Sequence, residues 1–161
     1  MVTGIDAGTE GLLIRIAERR DVEAIVALFA ADAVGGHGDT TDPDAAEAYL
    51  AAFERISDSP NDTLYVAELD GAVVGTFQTT LIPGIPGRGG TSFQIEAVQT
   101  RKDMRGRGIG ALMINHAIEA AKTADTRLVQ LMSNAVRERA HGFYERLGFA
   151  KSHVGFKMKL K

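Results

Sequence analysis

The sequence has no cysteine. That excludes disulfides, thiolate metal sites and a catalytic cysteine. It has no basic surplus either: Lys and Arg number 18 against 21 Asp and Glu, a net charge of -3. Nucleic acid is therefore not the expected partner. No apolar run reaches the ~18 residues needed to cross a bilayer, so no membrane association is expected. Met1–Gly11 lacks the basic and apolar regions of a signal peptide. Being glycine-rich and polar, 1–11 is expected to be poorly ordered, with 12–161 a single domain. A hydrophobic fraction of 45% and a charged fraction of 24% suit a soluble globular chain, expected in the cytoplasm.

What is present reads as alternating strands and helices. Leu12 to Ile16 suits a strand, and Asp21 can cap a helix from Val22 to Ala31 with Val22, Ile25, Val26 and Phe29 on one face. Asp42-Pro43 reads as an N-cap and first helical position, opening a helix with Ala46, Tyr49, Leu50 and Phe53 on one stripe. Thr63 to Leu69 and Ala72 to Thr80 flank Asp70-Gly71, a two-residue hairpin turn. Pro83 to Gly90, with two prolines and four glycines, predicts a mobile loop. Ser92 to Thr100 predicts a third long strand, antiparallel to the second. A helix follows to Thr123, with Ile109, Leu112, Met113, Ala117 and Ala120 inward. Arg127 to Met132 is then a strand, Val136 to Leu147 a helix, and Phe149 to Lys161 strand-like. This order predicts an α/β (α+β) mixed sheet with helices on its faces.

Arg105-Gly106-Arg107-Gly108-Ile109-Gly110 lies between a strand and a helix. Glycines there allow close backbone approach, and the N–H groups of a helix start favour anions. Arg101, Lys102, Arg105 and Arg107 add positive charge, so phosphate or pyrophosphate is the natural ligand. A plain glycine-rich connection is one alternative. A dinucleotide motif is another, since Gly106, Gly108 and Ala111 fit G-x-G-x-x-A. That motif also needs an acidic residue ~20 positions on, where Gln130-Leu131-Met132-Ser133-Asn134 has none.

Arg105-x-x-Gly108-x-Gly110 resembles the Q/R-x-x-G-x-G/A loop of the GNAT superfamily of N-acetyltransferases. Phe143-Tyr144-Glu145-Arg146-Leu147-Gly148-Phe149 is similar to that family's second hallmark, and the resemblance is close over Ser92 to Lys161. It implies a mostly antiparallel twisted sheet with one splayed parallel strand pair. It further implies that Arg105, Gly106, Arg107, Gly108, Ile109 and Gly110 bind the pyrophosphate of acetyl-CoA. Val98, Thr100 and Asn134 match positions that meet the pantetheine arm. Asn134-x-x-Arg137-x-x-Ala140-His141 and the tail around His153 resemble members acting on small amines, including aminoalkylphosphonate acetyltransferases.

The chemistry asks for particular residues. An alkylammonium has a pKa near 10.4, about that of lysine, and attacks a thioester only as free base. A carboxylate in the cleft can take the proton. Glu96 stands where many members carry such a glutamate, and alternation sends it to the face opposite Ile95 and Ala97. The oxyanion calls for a backbone N–H, for which Val98 is the candidate. The leaving thiolate, of pKa ~8.5, calls for an acid, and Tyr144 matches the family residue for that task. His37 sits in a loop that could line the acceptor site, while His116 and His141 lack an i, i+4 partner, so no metal is expected. Asp32, Asp39, Asp42 and Asp44 could attract a cationic acceptor. The expectation is direct acetyl transfer from acetyl-CoA to a small primary amine, by a protein that resemblance makes a homodimer. A catalytically idle acyl-CoA-binding module on the same fold is the alternative.

Overall fold

The computed structural model describes residues 8–34 and 36–161; most of the 1–11 segment lies outside them. Within that segment, residues 8–11 form a turn in which Leu12 N–H donates to the Thr9 carbonyl (3.0 Å). Five strands make one sheet in chain order: β1 (Leu13–Ile16), β2 (Asp62–Leu69), β3 (Ala72–Ile82), β4 (Ser92–Thr100) and β5 (Leu128–Leu131). The first three pairings are antiparallel and β4 with β5 is parallel. Leu69 pairs with Ala72 across the Asp70-Gly71 turn, whose φ values of 50° and 78° are those of a type I′ turn.

The sheet carries helices on both faces. Helix α4 (Ile109–Thr123) buries Ile109, Met113, Ile114, Ala117 and Ala121 against Phe77, Phe93 and Ile95. Its buried stripe is therefore Ile114 and Ala121 where periodicity suggested Leu112 and Ala120, which are half-buried. On the other face, α1 (Val22–Ala30) and α2 (Ala46–Asp58) close over Val66, with Ile25, Phe29 and Phe53 in the contact. Asp42 caps as expected, its Oδ1 accepting from Asp44 N–H at 3.0 Å. Among the described residues no helix is long and apolar enough to cross a membrane.

Three segments differ from expectation. Asp21 does not cap α1. Its carboxylate accepts from Glu18 N–H and from the Arg15 guanidinium, both at 2.7 Å, and Arg15 also binds Glu68 at 2.6 Å. The Arg15 hydrogen bonds hold the Asp21 carboxyl below its usual range, against the opposing effect of burial. Segment 83–90 contains the four-residue turn α3 (Pro86–Gly89), whose Gly87 and Arg88 are left-handed (φ 69° and 61°), and a β-carbon at Gly87 or Gly90 would lie 2.7 Å from Arg127 Cδ. Arg127 therefore lies across a segment that glycine content alone made mobile. Beyond α5 (Glu138–Arg146), residues 150–161 are exposed and belong to no strand. Their alternation is that of a strand, but no edge of their own chain takes them up.

Candidate active site

The β4–β5 ladder runs from Ser92 opposite Leu128 to Ile95 opposite Leu131, and there it stops. β4 continues to Thr100. Over 96–100 its backbone on that side has no strand partner, so N–H and C=O groups face a gap. Antiparallel pairing with β3 also slips here: Gln78 faces Glu96, but Thr76 faces Gln99. β4 thus holds one residue more than β3, a bulge, with Ala97 in the left-handed region at φ 54°.

The bulge resets the alternation. Ile95 is fully buried and Glu96 points to the opposite face, as expected. Ala97 is exposed instead of sharing the face of Ile95, and Val98 packs on the α4 core in its place. A side chain beyond alanine suits this backbone poorly, and a β-branched one worst. Ala97→Val is expected to lower stability by about 2 kcal/mol, seen as a lower urea midpoint with unchanged m. An unchanged midpoint would show that Ala97 is not held left-handed.

At the end of β4 the chain enters the glycine loop. Arg105 Nε–H donates to the Thr100 carbonyl at 3.2 Å, tying the loop to the border of the gap. Gly106 (φ 77°) and Gly108 (φ 82°) are left-handed, and a β-carbon on either would meet nothing within 4 Å. Gly108 is the N-cap of α4, and the first helical bond runs from Leu112 N–H to its carbonyl. The N–H groups of Ile109, Gly110 and Ala111 therefore point outward with no helical acceptor. The arrangement fits a phosphate or pyrophosphate, with the exposed Arg105 and Arg107 beside it. Gly110 has another reason to be glycine: a β-carbon there would lie 3.3 Å from Phe143 Cζ, so α5 packs directly on the start of α4.

That packing fixes Tyr144. Its ring lies edge-on to Phe143 (5.1 Å) and Phe149 (6.0 Å), against the main core. Burial pushes the phenol above its ordinary value, opposed weakly by Arg137, so Tyr144 is protonated at neutral pH. Such a group can give a proton but is ill suited to take one. The helix itself is shorter than periodicity implied: Val136 is 71% exposed and lies outside it. Asn134 occupies the approach, its Oδ1 accepting from Val136 N–H (3.1 Å) and its carbonyl from Arg137 N–H (3.0 Å). Among the described residues the Asn134 amide nitrogen makes no such bond and can face a ligand.

Several residues behave differently from the sequence reading. Asp32 is bound by Arg137 at 2.5 Å, and Arg137 also donates to the Val34 carbonyl. Burial raises the Asp32 pKa, but Arg137 and Val34 N–H outweigh it and the group is held low. Asp39 accepts from Tyr49 Oη–H (2.9 Å) and Asp42 is a cap, so the acidic run is largely committed to the fold. His116 packs edge-on to Tyr65 (5.3 Å) and His141 Nε2 meets the Asn134 carbonyl (2.9 Å). Among the described residues no group of His, Cys, Asp or Glu could hold a metal ion.

One feature escaped the sequence reading altogether. Glu96 shares its face with Gln78, Thr80, Gln94 and Gln130, because directly paired residues point the same way. Thr80 Oγ1–H donates to Asp62 at 2.5 Å, and Gln130 Nε2–H to Gln94 Oε1 at 3.1 Å. The signal was available as alternation: Thr76, Gln78 and Thr80 in one strand, Gln94 and Glu96 in the next. It gives the face beside the gap a polar floor.

A mixed sheet whose parallel pair parts beside a glycine-capped helix start is the arrangement of the N-acetyltransferase class of fold. The model of the acetyltransferase (GNAT) family matches residues 14–149, and the chain belongs to that family. An uncharacterised N-acetyltransferase of Methanocaldococcus jannaschii is 35% identical over 104 residues, 63% of this chain and 45% of that one. The aminoalkylphosphonate N-acetyltransferase of Salmonella typhimurium is 36% identical over 63 residues, 39% of this chain and 41% of that one. The chain thus spans less than half the length of these two relatives. A crystal structure from Bacillus halodurans, described as a transcriptional regulator, superposes with TM-score 0.89 at 36% identity, covering 92% of this chain and 99% of that one.

Proposed function

We propose that the protein is an acetyl-CoA-dependent N-acetyltransferase acting by direct attack on a small primary amine in the cytoplasm. The observation that carries this is the parting of β4 and β5 after Ile95 and Leu131, with the left-handed Gly108 at its mouth. Acetyl-CoA would supply an activated thioester carbonyl. Its pyrophosphate fits the N–H groups of Ile109, Gly110 and Ala111, with Gly106, Arg105 and Arg107 around them. In this reading Val98, Thr100 and Asn134 meet the pantetheine arm.

In this reading Glu96 takes a proton from the acceptor ammonium, freeing its lone pair for the carbonyl carbon. Val98 N–H donates to the negative charge that develops on the carbonyl oxygen. Tyr144 Oη–H gives its proton to the sulfur as the carbon–sulfur bond breaks, the second proton shed by the attacking nitrogen restores the phenol, and the proton taken by Glu96 passes to solvent. The products are the amide and free CoA. The polar floor favours an acceptor with hydrogen-bonding groups, and the Salmonella relative acts on an aminoalkylphosphonate.

The test is release of CoA thiol from acetyl-CoA across a panel of aliphatic amines, diamines and aminoalkylphosphonates. A thiol reagent reads it cleanly, because the protein has no cysteine of its own. The name of the Bacillus halodurans neighbour favours a second reading, a regulator that binds acyl-CoA without turnover. Binding with no thiol release for any amine would establish that alternative.

The glycine loop has its own test. In Gly108→Ala the new β-carbon stands where a pyrophosphate would sit, on a backbone (φ 82°) that alanine adopts only with strain. CoA affinity is expected to fall about tenfold or more, ~1.4 kcal/mol, by titration calorimetry on folded protein. Unchanged affinity would remove the loop from CoA binding.

A further inference from the structure

Arg137 and Asp32 are 105 positions apart in the chain, and their ion pair crosses the gap between β4 and β5. Asp32 lies just past α1. That end of α1 stands over the close of β4, where Ala27, Leu28, Ala31, Thr100 and Arg105 line one cavity. Arg105 of the glycine loop also acts on the Asp32 charge, so Asp32 belongs to the β4 side. Arg137 belongs to the other. It follows β5 as the N-cap of α5, with its N–H on the Asn134 carbonyl. Its Nη2 donates to Asp32 Oδ2 at 2.5 Å and to the Val34 carbonyl, while Val34 N–H donates to Asp32 Oδ1 at 3.2 Å. Among the described residues no other ion pair spans the gap.

This anchorage bears on Tyr144, which lies seven positions after Arg137, about two turns along α5. Long side chains on a helix lean back toward its N-terminus, so the phenol is directed to the end that Arg137 occupies. The guanidinium is the charged group that acts on that phenol, and it favours the phenolate. In the proposed reaction a phenolate exists from the moment the proton reaches the sulfur until the nitrogen restores it. Phe143, Phe149 and the core surround the ring, and such a setting penalises that charge. A cation already in place offsets the penalty when it arises. A free arginine side chain would spread over many rotamers, and Asp32 and the Val34 carbonyl remove that freedom.

We propose that Arg137 is a positioning residue of the acetyl-transfer reaction, anchored across the gap by Asp32 so that a fixed positive charge serves Tyr144 while its proton is on the sulfur. This rests on the reading of Tyr144 as the acid.

Arg137→Gln should lower kcat about tenfold or more, with the KM for acetyl-CoA near wild type. Arg137→Lys keeps the charge and should recover part of the loss. In a Tyr144→Phe background Arg137→Gln should cost almost nothing, because the group it serves is gone. Asp32→Ala leaves the charge but frees it, and should lower kcat with the same dependence on Tyr144. Wild-type kcat in Arg137→Gln or Asp32→Ala overturns the proposal. Equal losses in both backgrounds also overturn it, since that is what a merely structural role gives. A second readout needs no turnover. Titration of tyrosine absorbance, with Tyr144 assigned by comparison with Tyr144→Phe, should show a higher phenol pKa in Arg137→Gln than in wild type, and a return toward wild type in Arg137→Lys. Equal values in all three overturn the proposal even where acetyl transfer stands. A shifted phenol in a protein that turns over no amine places the fault in the acetyl-transfer reading, and the proposal falls with it.

Discussion

Tyr144→Phe is expected to lower kcat by ~10²–10⁴-fold, with the KM for acetyl-CoA near wild type. The reasoning begins with burial. The phenol lies among Phe143, Phe149 and the main core, which raises its pKa and keeps it protonated. Removing one oxygen leaves that packing intact, so stability and co-substrate binding should change little. What disappears is a proton donor for a sulfur that becomes a thiolate, pKa ~8.5, only as the bond breaks. An interaction made only in the transition state appears in kcat and kcat/KM alike. Single-turnover measurements with a good amine check this. A variant with the wild-type rate of chemistry would exclude Tyr144 as the acid.

Glu96→Gln is expected to depress kcat/KM most at neutral pH, again by ~10²-fold or more, with the deficit shrinking as pH rises toward 10. Below the amine pKa the acceptor is an ammonium, and a base must remove its proton before attack. Near pH 10 free amine is abundant and the base matters less. Glutamine keeps the shape and the place of Glu96 opposite Gln78 but cannot accept the proton. A residue that merely held the ammonium would give a different profile. Its loss would persist wherever the amine is cationic, mainly as a raised KM for amine. Profiles of both proteins from pH 6 to 10 with one amine decide the matter, and a flat ratio excludes Glu96 as the base.

Sequence carried this far where a backbone need dictates a residue type. Asp70-Gly71 and Gly106–Gly108 announce positive φ, and Asp42-Pro43 announces a helix start, because few residues serve those geometries. The Ala97 bulge was hidden for the converse reason: alanine gives no sign that a neighbouring chain has slipped by one residue. Alternation alone therefore put Ala97 inward and left Val98 without a reason to be buried. The start of α5 was misplaced because Val136 fits the apolar spacing, while Asn134 holds that stretch in a turn. Asp21 looked like a cap and is instead drawn to Arg15, a tertiary contact that no local pattern encodes. The 152–161 tail shows a further limit. Its alternation is that of a strand, but alternation does not supply a neighbouring edge, and 150–161 pair with none among the described residues.

The parting of β4 from β5 also has a spectroscopic consequence. Along 96–100 the amides that face β3 are tied into the ladder, while those that face the gap have no strand acceptor. In deuterated water the second set should lose its protons quickly and the first slowly, on one and the same strand. A pantetheine arm that bonds to the gap would slow the fast set alone. Occupancy of the groove can therefore be read residue by residue from proton lifetimes, before any acceptor amine is known.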